Sequence, residues 1–205
     1  MKSIVVFVII VYSIYLIRPR YREPRVFKSV FDGKTCEAII TLANDNLEKS
    51  EVESHENAKV VENIRKSETS WLDPEDRDIV KSVMLKCLSL TGIKKPLHNC
   101  EDLQVLKYKS GGFYLPHFDS SGDSDEPNER VMTCIIALNG DYDGGSTNFP
   151  NLRQSFKLNK GDVLIFDTLN TWGFESDKAL HEGTSVIQGE KWIANLWIHQ
   201  FPFDK

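Results

Sequence analysis

The chain has 205 residues, enough for one domain with a substantial hydrophobic core. Its apolar fraction of 40% and charged fraction of 27% are those of a globular protein and exclude a disordered chain. The net charge of -5 lacks the basic surplus of a nucleic-acid-binding protein, so we expect no nucleic-acid partner.

The first predicted element is an uncharged apolar run from Ser3 to Ile17. It is shorter than the ~20 residues of a full membrane span, although tilt or bilayer thinning extends such segments. No small-x-small cleavage site follows, so we predict that residues 1–22 are an uncleaved signal anchor and that residues 23–205 form the main domain. A buried strand or helix of the core is the alternative. The arginines that follow the run would, taken alone, keep the domain cytoplasmic.

Two amphipathic helices are predicted in the first half of the chain. The first follows Asp32 and Gly33, and its apolar residues recur at helical spacing: Cys36, Ile39, Ile40, Ala43 and Leu47. The second is predicted to begin at Pro74, with Asp73 as its N-cap, and to end at Gly92. The polar residues 50–67 between them are predicted to be a loop or hairpin over one face of the domain.

From Leu103 onward the pattern changes to short strand-like runs separated by Gly, Asn and Asp. These runs are LQVLKY, VMTCIIAL, SFKLN, DVLIF, TSVIQ and KWIANLWIH, and residues 141–145 between them are predicted to form a turn. Strands that follow two helices predict an α+β fold, with the helices supporting two packed sheets or a jelly roll.

The four cysteines do not form a C-x-x-C pair, which argues against a zinc ribbon or a thioredoxin-type motif. We expect buried free thiols, because Cys36 and Cys87 lie in helix-like patterns and Cys134 lies in a strand-like run. A disulfide that involves Cys100 stays open if the domain is lumenal.

His117 and Asp119 form a His-x-Asp pair. In an extended chain the two side chains point to the same face, where they supply two of the three ligands of a facial site for a divalent first-row metal. Among the other histidines, His181 opens a strand run, and antiparallel strands bring such distant positions together. Two histidines and one carboxylate are the ligands of non-haem Fe(II) oxygenases, whereas the H-E-x-x-H pattern of zinc proteases is absent.

The last predicted strand, residues 191–199, divides by alternation into two faces. Trp192, Ala194, Leu196 and Ile198 form an apolar face that suits packing under helices. Lys191 lies on the other face, where an inward cation is costly unless an anion meets it. The distal carboxylate of a 2-oxo diacid is one such anion. The alternative is a lysine exposed to solvent at the start of the strand.

Six ordered segments carry a resemblance to a known family. They are residues 65–72 (RKSETSWL), 103–108 (LQVLKY), 112–119 (GFYLPHFD), 144–150 (GGSTNFP), 160–166 (KGDVLIF) and 181–192 (HEGTSVIQGEKW). From about Val26 to Phe203 the chain resembles the catalytic domain of collagen-type prolyl 4-hydroxylases, within the 2-oxoglutarate/Fe(II) dioxygenases. It departs from the family at Ser185, where proline is usual, and is similar to minimal single-domain members.

The resemblance implies a double-stranded β-helix, or jelly roll, with one iron and one 2-oxoglutarate bound in it. The implied metal ligands and catalytic residues are His117, Asp119 and His181. The residues implied to hold 2-oxoglutarate are Lys191, on its distal carboxylate, with Tyr108 and Thr147 adding hydrogen bonds. The residues implied to lie at the peptide substrate are Arg130 and Trp197.

The implied reaction is hydroxylation of peptidyl proline at C4 in proline-rich or collagen-like sequences. It would consume O2 and 2-oxoglutarate, release succinate and CO2, and use L-ascorbate as a reductant. The alternatives are a hydroxylase of another side chain, such as lysine, and a non-catalytic membrane-tethered binding module. Because family members keep a lumenal domain behind a signal anchor, we expect membrane anchoring on the endoplasmic reticulum lumen side, against the charge of the flanking arginines.

Overall fold

The computed structural model describes residues 18–51, 63–120 and 128–203. Its two α-helices in these ranges are α1 (Gly33–Asn44) and α2 (Asp78–Thr91). Its strands are β1 (Arg25–Phe27), β2 (Glu48–Lys49), β3 (Arg65–Lys66), β4 (Glu68–Leu72), β5 (Leu103–Tyr108), β6 (Phe113–His117), β7 (Arg130–Ala137), β8 (Tyr142–Gly144), β9 (Thr147–Phe149), β10 (Gln154–Phe156), β11 (Val163–Asp167), β12 (His181–Gly183), β13 (Val186–Gly189) and β14 (Lys191–His199).

The strands form two main antiparallel sheets. The large sheet has the order β1-β11-β7-β14-β5-β4-β2, and the small sheet has the order β10-β9-β12-β6-β3. The strands β8 and β13 form a separate antiparallel pair. Most strands that are neighbours in these two sheets are distant in sequence, as in a jelly roll, and only β4–β5 and β9–β10 pair consecutive strands. The predicted α+β fold with two sheets is confirmed.

The large sheet buries both of its faces, and β14 shows how. Trp192, Ala194 and Leu196 join the core cluster that also contains the buried residues of α1 and α2, whereas Ile193 joins the cluster between the two sheets. The predicted alternation of this strand is therefore confirmed. The same alternation places Lys191 on the face that looks into the space between the sheets.

The first helix begins as its sequence indicates. The side chain of Asp32 accepts a hydrogen bond of 2.8 Å from the backbone N–H of Thr35, which satisfies one of the free donors at the helix start. The buried residues of α1 are Cys36, Ile39 and Ala43, all of them predicted core positions.

The predicted start of the second helix is wrong. Asp73 accepts from the backbone N–H of Glu75 through its side chain and from that of Asp76 through its carbonyl, which closes a separate turn. The helix begins at Asp78, one turn later. An Asp-Pro pair starts a turn as readily as it caps a helix. The predicted end is confirmed, since Gly92 has φ +79°.

The turn predicted for residues 141–145 is also wrong in part, because Tyr142–Gly144 is a strand paired with β13. Its glycines serve close packing against that partner. A Cβ on Gly144 would lie 2.4 Å from the carbonyl oxygen of Ser185. Glycine therefore marks a close backbone approach here.

All four cysteines lie in the described ranges, and all four are buried and free. The expected buried thiols are confirmed, and the disulfide left open for Cys100 is not formed. Residues 1–17 of the predicted anchor at residues 1–22 lie outside the described ranges. Within those ranges, no helix has the length and apolar character needed to cross a bilayer.

Candidate metal and cosubstrate site

The three predicted metal ligands meet at one end of the small sheet. His117, at the end of β6, lies directly opposite His181, at the start of β12. The Nε2 atoms of His117 and His181 are 3.8 and 3.7 Å from the two oxygens of Asp119, and the ligand atoms of all three residues lie within 4.8 Å of one another. Antiparallel pairing thus brings together two histidines that are 64 residues apart in the sequence and places them in one facial set of donors with Asp119.

Each histidine is held in the orientation that a metal ligand needs. Nδ1 of His117 is 2.8 Å from the carbonyl oxygen of Leu115, and Nδ1 of His181 is 3.0 Å from that of Ala179. A carbonyl oxygen only accepts, so we assign the proton to Nδ1 in both rings. The lone pair is then on Nε2, directed at the space the three residues share.

Burial and neighbouring charges together set the protonation states of these groups. Burial and the neighbouring His181 lower the pKa of His117 to about 3, so this imidazole is neutral at physiological pH. Burial by itself would raise the pKa of Asp119. The nearby His181, His117 and Arg130 outweigh it and hold that pKa below its ordinary value. The site therefore presents a neutral imidazole and an ionised carboxylate to a cation.

Thr133 supports the carboxylate ligand from the neighbouring sheet. Its hydroxyl donates a hydrogen bond of 2.6 Å to Oδ2 of Asp119, and its side chain is buried in β7. Partners of this kind orient a metal ligand and tune its basicity.

We expect Thr133→Val, which keeps the shape of the side chain, to weaken metal binding about 10- to 100-fold, the usual loss for a partner of a ligand. The loss follows because Asp119 becomes free to rotate and loses a buried donor. The Kd for Fe(II) measured by anaerobic calorimetry checks this result. Thr41→Val is the matched control, because the Thr41 hydroxyl bonds an exposed helix carbonyl. Equal affinities in the two variants would contradict the assigned role.

Lys191 is a buried cation without an anionic partner among the described residues. It is 4% exposed, and its Nζ lies 5.4 Å from the ring centre of Tyr108, its register partner on β5. Burial and the nearby Lys157 lower the pKa of Lys191 to about 8. The exposed-lysine alternative is wrong, because the side chain points between the sheets. An unpaired buried cation favours binding of an anion at this place.

One predicted partner of Lys191, Tyr108, is its register partner, and the other, Thr147, follows two residues after Gly145, which packs against the lysine stem. A Cβ on Gly145, which has φ +62°, would lie 3.2 Å from Cδ of Lys191, so glycine leaves room for the lysine stem. Thr147 is buried on β9 opposite Gly183, two residues beyond His181. The side chains of Tyr108 and Thr147 form no hydrogen bond with another described residue. Both hydroxyls therefore remain available to a ligand.

Arg130 and Trp197 form a wall beside the metal ligands. The guanidinium of Arg130 lies 3.9 Å from a ring centre of Trp197, and its Nη1 donates to the carbonyl oxygen of Asp119. Its Nε and Nη2 bind both oxygens of Glu101, at 2.5 and 2.9 Å. His199 Nε2 is 2.7 Å from the same carboxylate. Arg130 is thus a fixed, half-buried residue.

Comparison with known proteins agrees with this geometry. A family model described as the 2OG-Fe(II) oxygenase superfamily matches residues 103–199. A protein of Acanthamoeba polyphaga mimivirus named "Putative prolyl 4-hydroxylase" is 34% identical, over 89% of this chain and 76% of its own length. Prolyl 4-hydroxylase 2 of Arabidopsis thaliana is 31% identical, over 89% of this chain and 70% of its own length. The chain belongs to the 2OG-Fe(II) oxygenase superfamily.

A solved member of this superfamily shares the fold. The viral collagen prolyl hydroxylase of Paramecium Bursaria Chlorella virus-1, in complex with 2OG, is similar with a TM-score of 0.74 and 25% sequence identity. The similarity covers 88% of this chain and 97% of that one.

The donor groups of this oxygenase fit the cofactors that its family implies, Fe(II) and 2-oxoglutarate with O2. Two imidazole nitrogens and one carboxylate on one face suit Fe(II) and leave coordination positions open. The buried ammonium of Lys191 suits one carboxylate of a dicarboxylic acid.

Sequence reasoning missed three residues of this oxygenase site. Tyr114 stacks on His117 with ring centres 3.6 Å apart, Thr133 bonds Asp119, and Glu101 joins Arg130 to His199. A signal existed for Thr133, because it is a polar residue on the inward face of a buried strand. No sequence pattern marks Glu101, whose partners lie 29 and 98 residues away.

Proposed function

We propose that the protein hydroxylates peptidyl proline at C4, using Fe(II), 2-oxoglutarate and O2 and releasing succinate and CO2. One observation carries the proposal. His117, Asp119 and His181 form a facial set of metal ligands, and the same fold buries Lys191 as a cation that can bind an anion. The names of the relatives support proline as the target residue. Proline-rich or collagen-like sequences are the proposed substrate class.

The proposed roles divide between binding and positioning. When bound, iron supplies the redox chemistry that activates O2 at the expense of 2-oxoglutarate. His117 and His181 hold the metal through Nε2, and Asp119 balances part of its charge. Lys191, with hydrogen bonds from Tyr108 and Thr147, holds the far carboxylate and so orients the cosubstrate toward the metal. Arg130 and Trp197 form the wall against which the peptide lies.

Three finer features belong to the same proposal. L-ascorbate serves as the reductant that returns iron to the ferrous state. Residues 1–22 anchor the protein in a membrane, and residues 23–205 are the catalytic domain, on the endoplasmic reticulum lumen side. The apolar run from Ser3 to Ile17 supports anchoring. A protease-protection assay on intact microsomes, with the domain protected until detergent is added, checks the orientation.

The decisive experiment measures succinate release with poly-proline, collagen-like and lysine-containing peptides. Mass spectrometry of each product identifies the residue that gains oxygen. We expect succinate in equal amount to hydroxyproline. Oxygen on lysine would establish the alternative target. The absence of succinate release with all three peptides would favour a non-catalytic binding module.

A further inference from the structure

A basic cleft of about 150 Å³ opens between the β2–β4 edge of the large sheet and strand β3 of the small one. Five cations and one carboxylate line it, namely Lys49, Arg65, Lys66, Lys107, Lys109 and Glu68. The volume is below that of a drug-sized pocket, about 300–1,000 Å³, and suits a single side chain. Such a concentration of positive charge is notable in a chain with a net charge of -5.

Internal ion pairs neutralise only part of this charge. Glu68 pairs with Lys109 at 2.7 Å, and Lys107 pairs with Glu190 at 3.1 Å. Lys66 is exposed, and its side chain forms no hydrogen bond or ion pair with another described residue. The cleft therefore keeps a local positive potential, which attracts and orients an anion.

Arg65 is the innermost cation of the cleft, and it is 7% exposed. Its Nε donates to the hydroxyl of Ser67 at 3.1 Å, and Ser67 in turn donates to the buried Ser50 at 2.7 Å. No carboxylate pairs with Arg65 in the part of the chain that the structure describes. A buried guanidinium fixed through Nε by a neutral acceptor is prepared for a carboxylate, which it binds strongly and often with two hydrogen bonds.

The cleft is connected to the metal site through one aromatic ring. The guanidinium of Arg65 lies 4.7 Å from the ring centre of Tyr114, and the same ring stacks on His117 with ring centres 3.6 Å apart. An extended peptide advances ~3.3 Å per residue, so a group in the cleft is within a few residues of one held at the metal ligands.

We propose that this cleft binds an acidic side chain of the polypeptide substrate, a few residues from the proline that reacts. Arg65 meets the carboxylate, and Lys66 supplies the unneutralised charge at the rim. The protein then prefers prolines with a nearby Glu or Asp over prolines in neutral sequence. The inference rests on the proposed function for the identity of the reacting residue.

The test compares labelled proline-rich peptides that differ only in carrying Glu or Gln two to four residues from one proline, on either side. Fluorescence anisotropy with the metal-loaded protein, without O2, gives the Kd of each peptide, and hydroxyproline formation gives each KM. We expect the Glu peptide to bind about tenfold more tightly at low salt. The preference should narrow as salt rises, because Lys66 is exposed to solvent.

Two variants distinguish binding of the peptide in the cleft from a general effect of the protein's charge. Lys66→Glu should bring the ratio of the two Kd values close to one or invert it. Lys86→Glu, an identical charge change on the outer face of α2, should keep the wild-type ratio. Equal Kd values in the wild type, or equal ratios in the two variants, would overturn the proposal. If the protein binds the Glu peptide more tightly but forms no hydroxyproline, the proposed function is contradicted and the proposed role of the cleft is supported.

Discussion

Alanine at His117, Asp119 or His181 is expected to abolish 2-oxoglutarate turnover. Each residue contributes one of three convergent donors, all within 4.8 Å of one another. Loss of a partner behind a ligand already costs about 10- to 100-fold, so loss of the ligand itself should exceed roughly 100-fold. Succinate release and bound iron per chain, measured after anaerobic loading, should fall together.

The fold should survive these changes, because β6 and β12 pair through backbone groups, which alanine leaves in place. His98→Ala is the matched control, since His98 is exposed and lies outside the site. Circular dichroism should give the same spectrum for all four variants. If any one of the three variants kept full turnover and its bound iron, the assignment of that residue as a metal ligand would be wrong.

Replacing Lys191 with methionine is expected to have the second largest effect. It should weaken the binding of 2-oxoglutarate and stabilise the protein that lacks it. The Kd for 2-oxoglutarate should rise by roughly 100-fold, since removing one partner of a buried charge pair costs about 2–5 kcal/mol. Isothermal titration with the metal-loaded protein measures this change. Iron binding should be unaffected, because Lys191 is not among the metal ligands.

The same substitution should stabilise the protein without its cosubstrate. The pKa of Lys191 is lowered to about 8 by burial and Lys157, against an ordinary value of 10.5. The unfolded chain therefore binds more protons between those values, and stability rises with pH through that window. Below pH 8 the full penalty remains, of the order of 3 kcal/mol, and methionine removes it. Chemical denaturation at pH 7 and at pH 10 measures the difference.

Cosubstrate affinity should change with pH in the opposite direction. A carboxylate binds the protonated lysine, so above pH 8 binding requires proton uptake, and the Kd should rise about tenfold per pH unit. Lys86→Met, on the outer face of α2, should keep the wild-type pH profile and the wild-type Kd. A Lys191→Met variant with normal affinity, or with lower stability at pH 7, would contradict the assignment of an unpaired buried cation.

Several features of the fold followed from local patterns. The alternation of β14 separated its helix-facing residues from Lys191, and Gly92 marked the end of α2. The start of α2 and the strand β8 did not follow. Asp-Pro and Asp-Gly sequences are compatible with turns, caps and close strand approaches alike, and only the surrounding chain selects among them.

The sequence by itself determined the chemical groups of this protein: a His-x-Asp pair, a second histidine on a later strand, and a lysine on the inward face of the last one. Tertiary structure alone decided how they act. Pairing of β6 with β12 brings His181 opposite His117, and the carbonyls of Leu115 and Ala179 select the ring tautomers. Folding also buries Lys191 where no carboxylate of the described residues pairs with it. Distances, tautomers and desolvation depend on partners remote in the chain, so no local pattern specifies them.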